Sequence, residues 1–194
     1  MDKLIGTTIV GVKRNGKTAI GGDSQATMGN MILKDSVLKV RKIYDDKVIV
    51  GFAGTVSDAF AMFRKIEGNL QKYSGNLERA VVEIAKEWQN VDSPVRRVEA
   101  SLLIANKDKL YLVMGDGNVV EPTEDFISIG SGSVFALGAA KALLENTDLP
   151  AKEIVKKSLL IASQYCIYTN DHLNIEEVEW YGTTNTKRNC SRIR

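Results

Sequence analysis

The chain has 194 residues, which is one domain's worth and long enough to bury a sizeable core. Apolar residues make up 44% and charged residues 26%, and 3 prolines against 16 glycines argue against a linker-rich or disordered chain. The formal charge of +2 conceals a division: residues 181–194 hold Lys187, Arg188, Arg192 and Arg194 and no acid, so the rest of the chain is net negative and carries no basic footprint for nucleic acid.

The basic tail reads as a short solvated, disordered segment. Cys166 and Cys190 make no disulfide framework and suit a reducing compartment; Cys166, at an apolar helix end, reads as core, and Cys190 as exposed. No apolar run approaches the length of a membrane span. Residues 1–6 are too short for a secretory signal and lack its basic start and apolar centre.

Taken in order, residues 8–12 and 18–22 predict a hairpin around Asn15-Gly16, because Asn-Gly is the strongest short turn signal. Gly29-Asn30 marks a further turn. Strands are expected at 39–43 and 48–53, with a turn at Asp45-Asp46. The second is continuously apolar from Val48 to Ala53, so both its faces should be covered. Thr55 or Ser57 then caps a helix with apolar residues at 56, 59, 60, 63, 66 and 70. Gly75-Asn76 breaks the chain before a second helix over 77–88, whose stripe is Ala80, Val81, Ile84, Ala85 and Trp88.

Ser93-Pro94 opens the next segment. Strands are expected at 100–105, 110–114, 119–120 and 126–129, the last ending in Gly130-Ser131-Gly132-Ser133. A small-residue-rich helix follows over 134–144. Pro150 begins a long helix running to about residue 168, since proline is tolerated in a first turn. A final strand covers 175–178. Strands and helices in blocks predict an α+β protein built in layers. A four-layer α-β-β-α sandwich fits, with a pair of helices outside each of two facing sheets. The expected division is a short propeptide over 1–6, one domain over 7–180 and the tail over 181–194.

Several motifs fail as sites. His172, the only histidine, has no G-x-S-x-G elbow to serve as part of a triad. One histidine and two separated cysteines exclude a zinc cluster of the usual spacing. Gly130-Ser131-Gly132-Ser133 lacks the P-loop lysine and the G-x-G-x-x-G spacing, and a tight strand-to-helix turn accounts for it.

Thr7, Asp23 and Lys39 form a mechanism. If the bond before Thr7 is cut, that residue carries both a hydroxyl and a free amine, and so supplies nucleophile and base together. A free α-amine titrates near ~7.7–8.0 and accepts a proton at neutral pH. A nearby Lys39 ammonium would lower the pKa of amine and hydroxyl, and Asp23 would hold Lys39 charged and oriented. Each residue taken alone is more often structural: a threonine in a strand, an acid at its end, a solvated lysine.

At these residues the chain resembles the N-terminal-nucleophile hydrolases, and among them the HslV (ClpQ) family of proteasome-like peptidases. The resemblance runs from Thr7 to about Val178. It is carried by Thr7-Thr8-Ile9-Val10, Gly22-Asp23-Ser24-Gln25-Ala26-Thr27, Lys39-Val40-Arg41-Lys42, Val50-Gly51-Phe52-Ala53-Gly54, Ile129-Gly130-Ser131-Gly132 and Cys166-Ile167-Tyr168-Thr169-Asn170. The family implies that Thr7 attacks the peptide carbonyl and forms an acyl-enzyme. It also implies that Ser131 supports the amine and that the Gly54 N–H forms the oxyanion hole. A sodium ion is implied on main-chain oxygens of Ser163, Cys166 and Thr169, with Ser163 where glycine is usual. So are a double ring of two hexamers, a hexameric ATPase partner, HslU (ClpY), that feeds in unfolded proteins, and a cytoplasmic or, in a eukaryote, mitochondrial-matrix location. ATP is then needed only through the partner.

The chain departs from the family pattern in the six residues before Thr7, in Ser24 and Ser133 where glycine is common, and in the tail. Gly6-Thr7 resembles a self-processed junction, so removal of residues 1–6 is expected. The alternatives are an unprocessed or catalytically silent ring subunit and, more distantly, a serine amidohydrolase.

Overall fold

The computed structural model describes residues 4–5, 7–54, 56–89 and 100–179. The junction at Gly6, the cap at Thr55, the side chain of Ser57, the Ser93-Pro94 start, Cys190 and the basic tail lie outside the described residues. In chain order the strands β1 (Leu4–Ile5), β2 (Thr8–Arg14), β3 (Lys17–Asp23), β4 (Ala26–Met28), β5 (Met31–Lys34), β6 (Val40–Ile43) and β7 (Val48–Gly54) precede the helices α1 (Val56–Lys72) and α2 (Leu77–Gln89). Then come β8 (Ala100–Ala105), β9 (Leu110–Met114), β10 (Val119–Val120) and β11 (Phe126–Gly130), the helices α3 (Ser133–Asn146) and α4 (Ala151–Tyr165), and β12 (Leu173–Glu179).

One antiparallel sheet has the order β11-β2-β3-β12 and a second the order β10-β9-β8-β7-β6. Strand alternation assigns each face its partner. Along β7, Val48, Val50 and Phe52 pack outward against Met62, Phe63, Ile66, Leu70, Ile84 and Trp88 of α1 and α2. Ile49 and Ala53 point the other way and meet Ile9, Ile20, Leu103 and Ile129 between the sheets. Val10, Val12 and Ala19 turn from that layer toward Ala136, Ala140, Ile154, Val155 and Leu159 of α3 and α4. These three apolar layers make the expected four-layer α-β-β-α sandwich. The sheets approach closely at Gly51, where a Cβ would lie 2.7 Å from Ile9 Cγ2 and 2.9 Å from Ile20 Cγ2.

The hairpin of β2 and β3 turns on two residues, Asn15 (φ 53°) and Gly16 (φ 74°), with Arg14 paired to Lys17. Positive φ at both positions is what Asn-Gly supplies, and its twist matches that of the strands. Two expectations differ from the structure. The stretch 26–34 forms β4 and β5, joined by β1 into a third, three-stranded sheet that the apolar pattern does not announce. The last helix stops at Tyr165, and Cys166 is extended (φ −101°, ψ 113°) where continuation to 168 was expected. No described helix is long and apolar enough to cross a membrane.

Candidate active site

One end of the sandwich gathers the strand termini. β2 begins at Thr8 opposite Gly130, the last residue of β11, and β12 begins at Leu173 opposite Asp23, the last residue of β3. Lys39 stands immediately before β6, and its carbonyl accepts from the Phe52 N–H of β7 at 3.0 Å. Antiparallel pairing therefore brings Thr7, Asp23, Lys39 and Ser131 to a single rim, although they are distant in sequence.

Asp23 is fully buried and Lys39 nearly so. Lys39 Nζ lies 3.0 Å from Asp23 Oδ1 and 3.1 Å from Oδ2, and it donates to the Gln25 carbonyl at 2.5 Å. The carboxylate also accepts the Thr8 N–H on Oδ1 at 2.7 Å and the Gln25 N–H on Oδ2 at 2.9 Å. Both oxygens are thus occupied by main chain and ammonium together. Burial lowers the pKa of Lys39 from its ordinary value of 10.5, opposed by the Asp23 charge and its hydrogen bond. The acid holds the lysine in its charged form, while burial makes that proton easier to lose than on an exposed lysine. Lysine in that state serves as a tuned charge beside a nucleophile.

Thr7 is buried, and its carbonyl accepts the Ser131 N–H at 2.7 Å. That bond requires glycine at 130, where φ is +93° and a Cβ would lie 2.0 Å from the Thr7 carbonyl oxygen. Ser131 itself is exposed, at the entry to α3. Gly54 ends β7 with φ +147°, a backbone that L side chains rarely adopt. The neighbouring Thr8 holds the turn that follows β11: its Oγ1 accepts the Gly132 N–H at 2.9 Å and lies 2.6 Å from Thr169 Oγ1.

The expected sodium ligands, Ser163, Cys166 and Thr169, lie on the last turn of α4 and the turn that follows it. The Cys166 N–H donates to the Ala162 carbonyl, closing the helix, and the Thr169 N–H donates to the Cys166 carbonyl at 3.0 Å. Cys166 is buried and free. Among the described residues no three His, Cys, Asp or Glu side chains cluster as a metal site. His172 is exposed, with Nδ1 3.1 Å from the Asp35 carbonyl; a carbonyl only accepts, so Nδ1 carries the proton and faces main chain.

Sequence reasoning missed the polar shell. Thr8, Gln25, Gly130, Gly132, Thr169 and Asn170 all hold the rim in place; Thr169 was expected only as a main-chain sodium ligand, and the others stood only as letters in longer motifs. The one local signal was Asp23 followed two residues on by Gln25, the spacing at which an aspartate accepts a backbone N–H.

A threonine just ahead of a strand whose first N–H meets a buried acid-lysine pair, inside an α-β-β-α sandwich, is the arrangement of an N-terminal-nucleophile hydrolase. The chain belongs to the proteasome subunit family, whose model matches residues 4–178. It is 53% identical over 174 residues to the ATP-dependent protease subunit HslV of Petrotoga mobilis, covering 90% of this chain and 98% of that protein. The crystal structure of HslV from Trypanosoma brucei superposes with a TM-score of 0.83 at 36% identity, over 89% of this chain and 99% of that one. The BPH protein of Thiobacillus denitrificans, solved with epoxomicin, shares the fold at a TM-score of 0.69 and 21% identity, over 90% of this chain and 100% of that one.

Proposed function

We propose that this chain is the peptidase subunit of an ATP-dependent protease, with Thr7 as its nucleophile once residues 1–6 are removed. The buried Asp23–Lys39 pair at the rim beside Thr7 carries the reading. Thr7 Oγ1 attacks the peptide carbonyl carbon and its proton passes to the Thr7 amine, directly or through water. The Gly54 N–H meets the oxyanion that develops. Collapse expels the new peptide amine, which takes the proton, and leaves an ester on Thr7. Water then attacks the ester, with the amine again taking and returning the proton. Lys39 favours the alkoxide and the neutral amine, Asp23 fixes Lys39, and Ser131 supports the amine.

Main-chain oxygens of Ser163, Cys166 and Thr169 would hold a sodium ion. All three donors are oxygens, as a hard cation requires, and they lie at the C-terminal end of α4, where the helix dipole favours positive charge. Bound there, the ion supplies fixed charge that braces the turn, with no part in bond making. The subunit assembles as two stacked hexameric rings and works with the hexameric ATPase HslU (ClpY) on unfolded proteins, in the cytoplasm or, in a eukaryote, the mitochondrial matrix. ATP is consumed by the partner alone.

With residues 4–5 forming a strand ahead of Thr7, the uncut chain corresponds to a silent precursor, because an amide nitrogen cannot act as the base. Intact mass and N-terminal sequence test the reading, together with peptide hydrolysis in the presence of the ATPase. A chain beginning at Thr7 whose activity vanishes in Thr7→Ala is the expected result. An active chain that retains residues 1–6, or an active Thr7→Ala variant, would overturn it.

A further inference from the structure

The turn after α4 is pinned to the catalytic rim by side chains that the mechanism above does not use. Thr169 Oγ1 lies 2.6 Å from Thr8 Oγ1. Asn170 Oδ1 accepts the Ser24 N–H at 3.0 Å, while its Nδ2 donates to the Asp35 carbonyl at 3.1 Å. Gln25 Nε2 donates to the Ile167 carbonyl at 2.9 Å. Thr8 and Thr169 are both buried, so neither hydroxyl gains from water what it would lose on being cut from its partner.

Thr8 Oγ1 is the centre of this arrangement. It accepts the Gly132 N–H at 2.9 Å, and its own chain N–H goes to Asp23 Oδ1 at 2.7 Å. A hydroxyl has one proton and two lone pairs. With one lone pair given to Gly132, the contact with Thr169 uses the proton or the second lone pair, and either way the group is engaged on both sides. The packing leaves no slack: a Cβ at Gly132 would lie 2.4 Å from Thr8 Oγ1 and 2.8 Å from Thr169 Oγ1. One residue therefore ties together the strand that follows Thr7, the Asp23 carboxylate, the Ser131-Gly132 turn and the turn after α4.

We propose that Thr169 is a positioning residue whose hydroxyl, acting through Thr8, sets the placement of Thr7 against the Ser131-Gly132 turn. The proposal rests on Thr7 being the nucleophile. Its role is separate from that of the Thr169 main-chain oxygen. A misplacement of about 1 Å at a reacting group costs on the order of 100-fold in rate. The loss should fall on kcat, because Thr169 is buried behind Thr8 and acts through it.

The test uses the processed chain assembled with its ATPase and a fluorogenic peptide amide as substrate. Thr169→Val keeps the shape and removes the hydroxyl; kcat is expected to fall roughly 10- to 100-fold with KM within about twofold. Thr169→Ser should restore most of kcat, since it returns the hydroxyl and omits only a methyl group. Gly132→Ala perturbs the same centre from the opposite side and should give the same split. Thermal unfolding and ring size are measured beside the kinetics. Should Thr169→Val fail to fold, the serine and Gly132→Ala variants decide the matter. Unchanged kcat in Thr169→Val, or a loss that serine does not restore, would overturn the proposal and leave Thr7 as nucleophile untouched. Activity surviving Thr7→Ala would overturn both.

Discussion

Lys39 Nζ and the Asp23 carboxylate meet at 3.0 Å where water hardly reaches, and each supplies what the other needs to remain charged. Removing one partner leaves the other buried and uncompensated, which costs about 3–5 kcal/mol. Asp23→Ala also strips the acceptor from the Thr8 and Gln25 N–H groups. The variant is expected to unfold at markedly lower denaturant than the parent and to lose peptide hydrolysis. Denaturant titration monitored by tryptophan fluorescence checks the first outcome, and a peptide assay at a temperature where the variant is folded checks the second.

The lowered pKa of Lys39 gives a direction for pH dependence. Burial is the largest cause, and it disfavours the ammonium. As pH rises toward 10.5, the folded chain sheds this proton before the unfolded chain does. In that window the unfolded state binds more protons, so this group's contribution to stability rises with pH, while below it the burial cost is present in full. Activity should run the other way, because the mechanism needs the charge. The alkaline limb of kcat/KM should therefore set in below the ordinary lysine value. Lys39→Arg keeps its charge at all accessible pH, so whatever activity it retains should lack that limb. A limb unchanged in the arginine variant would assign it to another group.

How much of this was legible in the sequence follows from how local each signal was. The apolar run Val48–Ala53 and the stripe of Ala80, Val81, Ile84, Ala85 and Trp88 are periodic patterns, and their residues are buried as expected. Thr7, Asp23 and Lys39 were grouped because a known chemistry would join them, and the structure places Asp23 and Lys39 in contact. The β4 and β5 strands were missed because Met31–Lys34 is exposed throughout and shows no alternation. The end of α4 was overrun because Ile167 and Tyr168 continue an apolar pattern, whereas the backbone turns away at Cys166 and leads Thr169 to Thr8. Thr8 could not be singled out at all. A threonine in a strand is ordinary, and its partner lies 161 residues further along the chain.

Gly130→Ala offers a sharper probe of the rim than truncation of any side chain. At φ +93° an alanine is strained by about 1–3 kcal/mol, and its Cβ would overlap the Thr7 carbonyl oxygen at 2.0 Å. Relief requires β11 and β2 to part at Gly130 and Thr8, which breaks the bond from the Ser131 N–H to Thr7. Activity should fall by more than 100-fold, since a displacement near 1 Å already costs about that much. The core layers far from this end should hold, so a cooperative unfolding transition should persist. Loss of activity with a retained transition is the outcome to look for; parental activity would show that the Thr7–Ser131 contact is dispensable.

The strand ahead of Thr7 gives a prediction that does not depend on assaying turnover. β1 pairs antiparallel with β4, Leu4 opposite Met28 and Ile5 opposite Thr27, and β5 flanks β4 on its other side. While β1 is attached, β4 is an interior strand. Cutting before Thr7 removes β1 and converts that side of β4 into an open edge, whose N–H and C=O groups are then free to pair with an extended peptide. Amide hydrogen exchange across residues 26–28 should accordingly be slower in a Thr7→Ala chain that retains residues 1–6 than in a chain that begins at Thr7. A peptide aldehyde that adds to Thr7 should restore protection in the processed chain alone. Equal exchange in the two forms would mean that residues 4–5 do not cover β4 in solution, and that processing frees the Thr7 amine without opening this edge.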